Sequence, residues 1–200
     1  MTRLFFGLSV DPVVGQSLLR GAKRALSGAP EGGIDLYEEE DLHVTLCFLG
    51  SFPPDRIAAL REAANYEFKG LFAPELLVGE EGDSLPSRVE PRALVTGVEE
   101  TAETVGRLAA VRNRTWQVAL SQGWRGSRSD RERPFQPHVT LARASDVPAR
   151  ELEDFWDLSA ERRWLPLDIV LYESLDAEAR EAAGVRYRTL AAWPLSVRPG

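Results

Sequence analysis

The two histidines of this chain occur in the same local sequence. Each begins the tetrapeptide His-Val-Thr-Leu, at residues 43–46 and 138–141, and the chain has no other histidine. If each of the three following positions matches by chance about one time in ten, the second copy has a probability on the order of one in a thousand. The repeated tetrapeptide is therefore the strongest functional signal in the sequence.

Both tetrapeptides are predicted to lie on β-strands. Residues 42–49 are rich in apolar and β-branched side chains and end at Gly50, and the second copy follows two prolines at 134 and 137. Side chains alternate along a strand, so each histidine shares a face with the threonine two residues later, while the valine and leucine point the other way. Each strand thus presents one imidazole beside one hydroxyl.

Two such faces brought together would suit phosphate chemistry. With an unperturbed pKa of ~6.5, one imidazole can take a proton from an attacking water while the other gives one to a leaving oxygen. Threonine hydroxyls can bind the non-bridging phosphoryl oxygens. Losing either histidine is expected to slow such a reaction by ~10²–10⁴ or more. The alternative is that each histidine is a structural residue of a half-buried strand, which leaves the repeated context unexplained.

On these residues the chain resembles the 2H phosphoesterase superfamily, and within it the RNA 2′,3′-cyclic phosphodiesterases once described as 2′-5′ RNA ligases. The resembling segments are the opening strand at 3–8, the motifs at 42–50 and 133–143, and the closing segments at 169–174, 187–190 and 193–195. The resemblance implies an α+β fold of two pseudo-symmetric lobes. In that fold antiparallel sheets line a central cleft and the helices lie outside.

The resemblance also implies a role for five residues. His43 would be the proton donor to O3′ and His138 the proton acceptor from water, opening a 2′,3′-cyclic phosphate to a 2′-phosphomonoester without metal or cofactor. Thr45, Thr140 and Arg143 would bind the phosphate. Strict alternation places Arg143 on the face opposite His138, so we expect the strand to end or bulge before Arg143.

Composition limits the choice of partners. The formal net charge of −7 argues against broad, non-specific nucleic-acid binding, which needs many Lys and Arg contacts. RNA 3′ ends or nucleotides that carry a 2′,3′-cyclic phosphate remain suitable partners, because only a local site has to hold them. We expect a monomer of one domain over residues 1–200.

The sequence also bears on location. No apolar stretch approaches the ~20 residues of a membrane span, and no secretion signal is recognisable at the start. The single cysteine, Cys47, cannot form an internal disulfide. These features lead us to expect a cytoplasmic protein without membrane contact.

The remaining pattern predicts elements that would position the motifs. A strand at 4–10 leads into a helix with Asp11 as N-cap and Pro12 at its first position. A second helix would bear Ile57, Leu60 and Ala64 on its core side. Further helices are predicted at 101–122 and 148–158, and further strands at 75–79, 93–98, 165–172 and 185–193.

Three aromatic residues are weaker candidates for nucleotide contacts. The segment 124–133 contains four arginines, and Trp124 or Phe135 could stack on a base while those arginines meet phosphates. Tyr37 is a similar candidate. The alternative is a solvated loop in which acidic residues partly balance the arginines.

Alternation would also put Cys47 on the face of His43. That placement invites a Cys-His nucleophile or a His-His-Cys metal site. The nucleophile would leave Thr45, His138 and Thr140 without roles, and the metal site would have only three candidate ligands and none of the short pair spacings of structural zinc. Other functions stay open for the two-histidine set. A related 2′-5′ or small cyclic-nucleotide phosphodiesterase would use the same residues, as would RNA end-joining in the reverse direction, whereas a non-catalytic RNA-end binding module would only hold the phosphate.

Overall fold

A computed structural model describes residues 1–28, 33–126, 134–145, 152, 155 and 162–197. Within these residues the chain forms nine β-strands and four α-helices. In chain order they are β1 (Thr2–Ser9), α1 (Pro12–Ala25), β2 (Ile34–Leu36), β3 (His43–Phe52), α2 (Ile57–Glu67), β4 (Leu76–Pro86), β5 (Pro91–Glu100), α3 (Arg107–Ser121), β6 (His138–Ala144), β7 (Arg162–Trp164), β8 (Asp168–Ser174), α4 (Ala177–Ala183) and β9 (Tyr187–Pro194).

The strands form one curled antiparallel sheet in two halves. Its order is β7-β4-β5-β6-β3-β1-β8-β9, with β2 paired to β6. The strands β3 and β6 contain the two His-Val-Thr-Leu copies and are called the motif strands. The halves meet where β3 and β6 pair through Val44 opposite Val139. Each half has a strand, a helix and a motif strand in that order, β1-α1-β3 in one and β5-α3-β6 in the other. The predicted α+β class and pseudo-symmetry are confirmed.

The first helix begins as the sequence predicts. The Asp11 carboxylate accepts hydrogen bonds from the backbone amides of Val13 at 2.8 Å and Val14 at 3.3 Å, with Pro12 at the first helical position. Capping satisfies amides that have no partner inside a helix. The buried side of α1 contacts β6 and β7, whereas α3 contacts β3. Each of these helices therefore contacts the motif strand of the other half.

The third helix begins later than predicted. Residues 101–122 were expected to be helical, but Ala102–Thr104 forms a 3₁₀ turn and Gly106 adopts a left-handed conformation with φ +93°. The carboxylate of Glu100 accepts hydrogen bonds from the backbone amides of Gly106, Arg107 and Leu108, at 2.8–3.0 Å. This acidic cap fixes the start of α3 at Arg107.

The remaining predicted elements agree in kind and differ in extent. β4 and β5 are longer than the strands predicted at 75–79 and 93–98, and the short elements β2, β7 and α4 were not predicted. Of the helix predicted at 148–158, only Leu152 and Phe155 lie within the described residues, and both are fully buried. No helix among the described residues is long and apolar enough to cross a membrane.

Gly82 offers a test of the packing beneath β4. A Cβ atom at this position would overlap the Phe155 carbonyl oxygen and lie 2.7 Å from a ring carbon of that residue. We expect Gly82→Ala to lower the free energy of unfolding by ~1–3 kcal/mol, the usual effect of overpacking, in urea titrations. The control is Gly97→Ala, whose Cβ would have no atom within 4 Å. Equal destabilisation by both changes would contradict the packing of Phe155 on Gly82.

Candidate active site

The fold brings the four motif side chains together on one face of the sheet. Val44 and Val139 are opposite each other in antiparallel register and are fully buried. Because side chains alternate along a strand, the histidine before each valine and the threonine after it point to the opposite face of the sheet. His138 lies close enough to His43 to lower its pKa. His43, Thr45, His138 and Thr140 therefore form one group.

Both imidazoles are held in the same way. Nδ1 of His43 lies 2.7 Å from the carbonyl oxygen of Asp41, and Nδ1 of His138 lies 2.7 Å from that of Gln136. A carbonyl oxygen can only accept, so each Nδ1 donates its proton, and Nε2 is the nitrogen left for proton transfer. Nε2 of His43 lies 3.1 Å from the Thr45 hydroxyl. The backbone thus favours the same tautomer, with the proton on Nδ1, in each ring whenever that ring is neutral.

A β-bulge brings Arg143 onto the same face. The register between β5 and β6 skips Leu141, and the consecutive residues Leu141 and Ala142 are both fully buried. The extra residue shifts the alternation by one, so Arg143 faces the side of His138 and Thr140. The bulge expected from the sequence is confirmed.

The first motif strand has the equivalent bulge. The register between β1 and β3 skips Leu46, and both Leu46 and Cys47 are buried. The prediction that Cys47 shares the face of His43 is wrong, because the bulge turns the thiol into the core at 2% exposure. A Cys-His nucleophile and a His-His-Cys metal site are thereby excluded. Phe48, 41% exposed, takes the position that Arg143 has in the second motif, a match visible in the repeat but not recognised from sequence.

An aromatic wall surrounds His43. The ring centroids of Phe5, Tyr187 and Tyr172 lie 4.6, 4.9 and 5.4 Å from that of the imidazole. Gly7 completes the wall, because a Cβ there would lie 3.1 Å from the Val44 carbonyl oxygen and 3.3 Å from a ring carbon of Tyr172. No sequence pattern indicated these contacts, which join β1, β8 and β9 to the motif strand.

Burial shifts the pKa values of His43 and of Tyr172 in the aromatic wall. Burial is the largest effect lowering the pKa of His43, nearby His138 and Arg143 also lower it, and the hydrogen bond to the Asp41 carbonyl raises it, so that the pKa lies at about 4. The imidazole is therefore neutral at pH 7 in the ligand-free protein. Burial also raises the pKa of Tyr172 to about 12, so its hydroxyl stays protonated at that pH.

Asp41 links His43 to the wall around it. Its carbonyl holds Nδ1 of His43, and its carboxylate accepts from the backbone amides of Arg186 at 2.7 Å and Tyr187 at 3.2 Å. Burial raises the pKa of Asp41, while these two hydrogen bonds lower it. The sequence did not distinguish Asp41 from the acidic residues 38–40 before it, because its 2% exposure is a tertiary property.

Tyr37 connects Arg143 to the aromatic wall. Arg143 Nε donates to the Tyr37 hydroxyl at 3.1 Å, and that hydroxyl lies 3.2 Å from the hydroxyl of Tyr187. The Tyr37 ring is 4% exposed, and the Arg186 guanidinium lies over it at 4.4 Å. Tyr37 therefore positions Arg143, and a base contact by Tyr37 stays a prediction.

The other two aromatic candidates pack against neighbouring side chains. Trp124 donates from its indole nitrogen to the Leu49 carbonyl at 3.1 Å and packs edge to face with Trp116 at 5.0 Å. Phe135 has the Arg112 guanidinium over its ring at 4.5 Å. Residues 127–133 of the arginine-rich segment lie outside the described residues. Base stacking on Trp124 or Phe135 stays a prediction.

Two curated proteins are similar to this chain in sequence. Both are named RNA 2′,3′-cyclic phosphodiesterase, and the one from Geobacillus stearothermophilus is 34% identical over 165 residues, 80% of this chain and 48% of that protein. The one from Archaeoglobus fulgidus is 28% identical over 141 residues, 70% of this chain and 72% of that protein. The chain thus spans about half the length of the first relative. No family model matches the sequence.

Solved structures with the same fold match almost the whole chain. TT0787 of Thermus thermophilus has a TM-score of 0.68 at 20% identity, with 98% of this chain and 100% of that chain covered. LigT of E. coli, solved with 3′-AMP, has a TM-score of 0.66 at 22% identity and 98% coverage of both chains. These likenesses confirm the fold expected from the sequence.

The pKa of His43 can be measured to test whether the aromatic wall keeps water away from the imidazole. We expect the His43 ring to titrate with a pKa of about 4 in the ligand-free protein and to carry its proton on Nδ1 when neutral, as read from long-range ¹H–¹⁵N NMR spectra. Tyr187→Ala would admit water beside the ring and raise this pKa toward ~6.5. The control, Tyr66→Ala, removes a ring that is 76% exposed and should change nothing. A wild-type pKa near 6.5 would show that the ring is solvated.

Proposed function

We propose that this chain, a homologue of two proteins named RNA 2′,3′-cyclic phosphodiesterase with the fold of the 2H phosphoesterase LigT, hydrolyses 2′,3′-cyclic phosphate ends of RNA or nucleotides to 2′-phosphomonoesters. The observation that carries the proposal is the face on which two identically held imidazoles lie with two threonine hydroxyls. We also propose that residues 1–200 act as one domain, since each half supplies one histidine.

The proton transfers are assigned to the two Nε2 atoms, the ring nitrogens that the backbone does not hold. His138 accepts a proton from water as the water oxygen forms a bond to phosphorus, and His43 donates a proton to O3′ as the P–O3′ bond breaks. The products are a 2′-phosphate and a free 3′-hydroxyl. Thr45, Thr140 and Arg143 hold the non-bridging oxygens, so the phosphorus stays in line with both imidazoles. The two histidines supply both proton transfers, and this scheme needs no metal or cofactor.

If His43 is the proton donor, the bound substrate must raise the pKa of its imidazole so that the ring becomes protonated. The ring is neutral at pH 7 without ligand, because burial lowers its pKa to about 4. A phosphodiester anion placed at Nε2 favours the charged imidazolium and raises the pKa. The Thr45 hydroxyl, which donates to Nε2 of the neutral ring, would then turn toward a phosphate oxygen. His43 thus takes up its proton together with the substrate.

The alternatives use the same residues or fewer of them. A 2′-5′ phosphodiesterase or a hydrolase of small cyclic nucleotides would need the same acid and base, so a substrate panel separates these from RNA ends. An RNA-end binding module would need the threonines and Arg143 but no proton transfer. The Nδ1 contacts, which leave both Nε2 atoms on one face, favour catalysis over binding alone.

The decisive assay uses an oligoribonucleotide that ends in a 2′,3′-cyclic phosphate, with excess EDTA. We expect the wild type to form the 2′-phosphate, separated from the 3′-phosphate by chromatography, and His43→Ala and His138→Ala each to slow turnover by ~10²–10⁴ or more. The control is Tyr66→Ala, a change at an exposed residue of α2, which should keep full activity. Binding without turnover by the wild type would favour the binding module, and loss of activity in EDTA would contradict the two-histidine scheme.

Proton uptake by His43 can be measured in His138→Ala, where only one imidazole remains. We expect adenosine 2′,3′-cyclic phosphate, a monoanion near neutral pH, to raise the NMR-measured pKa of His43 by a unit or more relative to the same variant without ligand. Adenosine serves as the uncharged control and should leave the pKa unchanged. An unchanged pKa with bound cyclic phosphate would contradict the donor role of His43.

A further inference from the structure

Two cavities of opposite charge lie on either side of the motif residues. The first has a volume of about 310 Å³, and its charged wall consists of four arginines and one aspartate: Arg3, Arg143, Arg180, Arg186 and Asp35. Tyr187 also lines this basic cavity, and its ring packs edge-on against His43 at 4.9 Å. The basic cavity is thus continuous with the candidate site through Arg143 and Tyr187.

The second cavity is an acidic groove on the His138 side. It has a volume of about 410 Å³ and reaches from β4 and β5 to His138. Its charged residues are Glu80, Glu81, Asp83, Glu99 and a single arginine, Arg88, which pairs with Asp83 at 3.1 Å. Within the described residues, Glu80 and Glu99 have no ion pair. The two sides of the site therefore differ in the sign of their charge.

We propose that the basic cavity is a second phosphate subsite, for the 5′-phosphate of the nucleotide whose cyclic phosphate lies between the two histidines. This inference rests on the proposed function. Neither histidine and neither threonine lines the cavity, so it is separate from the phosphate that reacts. Arg143, shared by both, stands between the two phosphates of one nucleotide.

The arginines of the cavity suit an anion of this kind. Arg186 is held by an ion pair with Asp35 and by the Tyr37 ring, and its side chain is 12% exposed. Arg3 lies over the Phe48 ring at 5.6 Å, and within the described residues neither Arg3 nor Arg180 has an ion pair. Two guanidinium groups are thus left to bind phosphate oxygens, each with several donors in a planar fork.

The charge distribution also sets a direction for an RNA chain. The whole chain carries a formal net charge of −7, so four arginines around one cavity are a local exception. The carboxylates of the groove would repel a phosphate backbone, whereas the basic cavity would attract it. An RNA 3′ end therefore enters with its preceding phosphate in the basic cavity and leaves the groove free of phosphates.

The test compares ligands that differ only by a 5′-phosphate. Turnover is measured with adenosine 2′,3′-cyclic phosphate and its 5′-phosphorylated form, and binding by calorimetry with 2′-AMP and adenosine 2′,5′-bisphosphate. In the wild type the 5′-phosphate should lower KM and Kd about tenfold, a typical effect of charge-assisted hydrogen bonds. Arg3→Gln and Arg180→Gln should each remove most of this gain and leave KM without the 5′-phosphate within about twofold.

Arg61→Gln is the matched control, since Arg61 is an exposed arginine on α2 and should keep the full gain. Equal Kd values for the two wild-type product ligands, or an equal loss in Arg61→Gln, would overturn the subsite. Turnover of both cyclic substrates without a preference would overturn the subsite and leave the proposed function intact. A tenfold preference in Kd without any turnover would support the subsite and overturn the proposed function. Circular dichroism checks that each variant is folded.

Discussion

The cross-strand pair of Val44 and Val139 is the contact on which the site depends. These two side chains are fully buried between the halves of the sheet, and theirs is the one residue pair through which β3 and β6 join in the described part of the chain. A shift of one residue in this register would turn every motif side chain to the other face. The buried valine of each motif thus determines where the histidine and threonine of that motif lie relative to those of the other motif.

The bulges in β3 and β6 are a second constraint. They determine which side chain after each threonine lies on the same face as the histidines and threonines. Without an extra residue, Cys47 and Ala142 would lie beside the threonines, and neither can bind a phosphate through a positive charge. With it, Phe48 and Arg143 take those positions. Which side chains lie beside the threonines therefore depends on a local irregularity of the strands as much as on the residue types in the motif.

Much of the site could be predicted from the sequence because a repeated motif at strand spacing constrains both secondary structure and facing. The start of α1 was predictable for a similar reason, since Asp11 and Pro12 act locally. The contacts made by Asp41, Tyr172 and Tyr187 could not be predicted, because they depend on burial and on strands far apart in the chain. The position of Cys47 was misjudged because alternation assumes a regular strand, and a bulge is decided by the partner strand.

The two motifs are nearly equivalent, yet their surroundings differ in one position. Phe48 and Arg143 occupy corresponding places, so one motif presents an aromatic ring where the other presents a positive charge. In a site with perfect two-fold symmetry, rotation of a bound cyclic phosphate about the axis would exchange the two histidines and leave the substrate's own geometry unchanged. Either histidine could then serve as acid and the other as base. Because Phe48 and Arg143 differ in charge, the two arrangements are unequal in energy. The mismatch between the halves would therefore assign one role to each histidine in the proposed reaction.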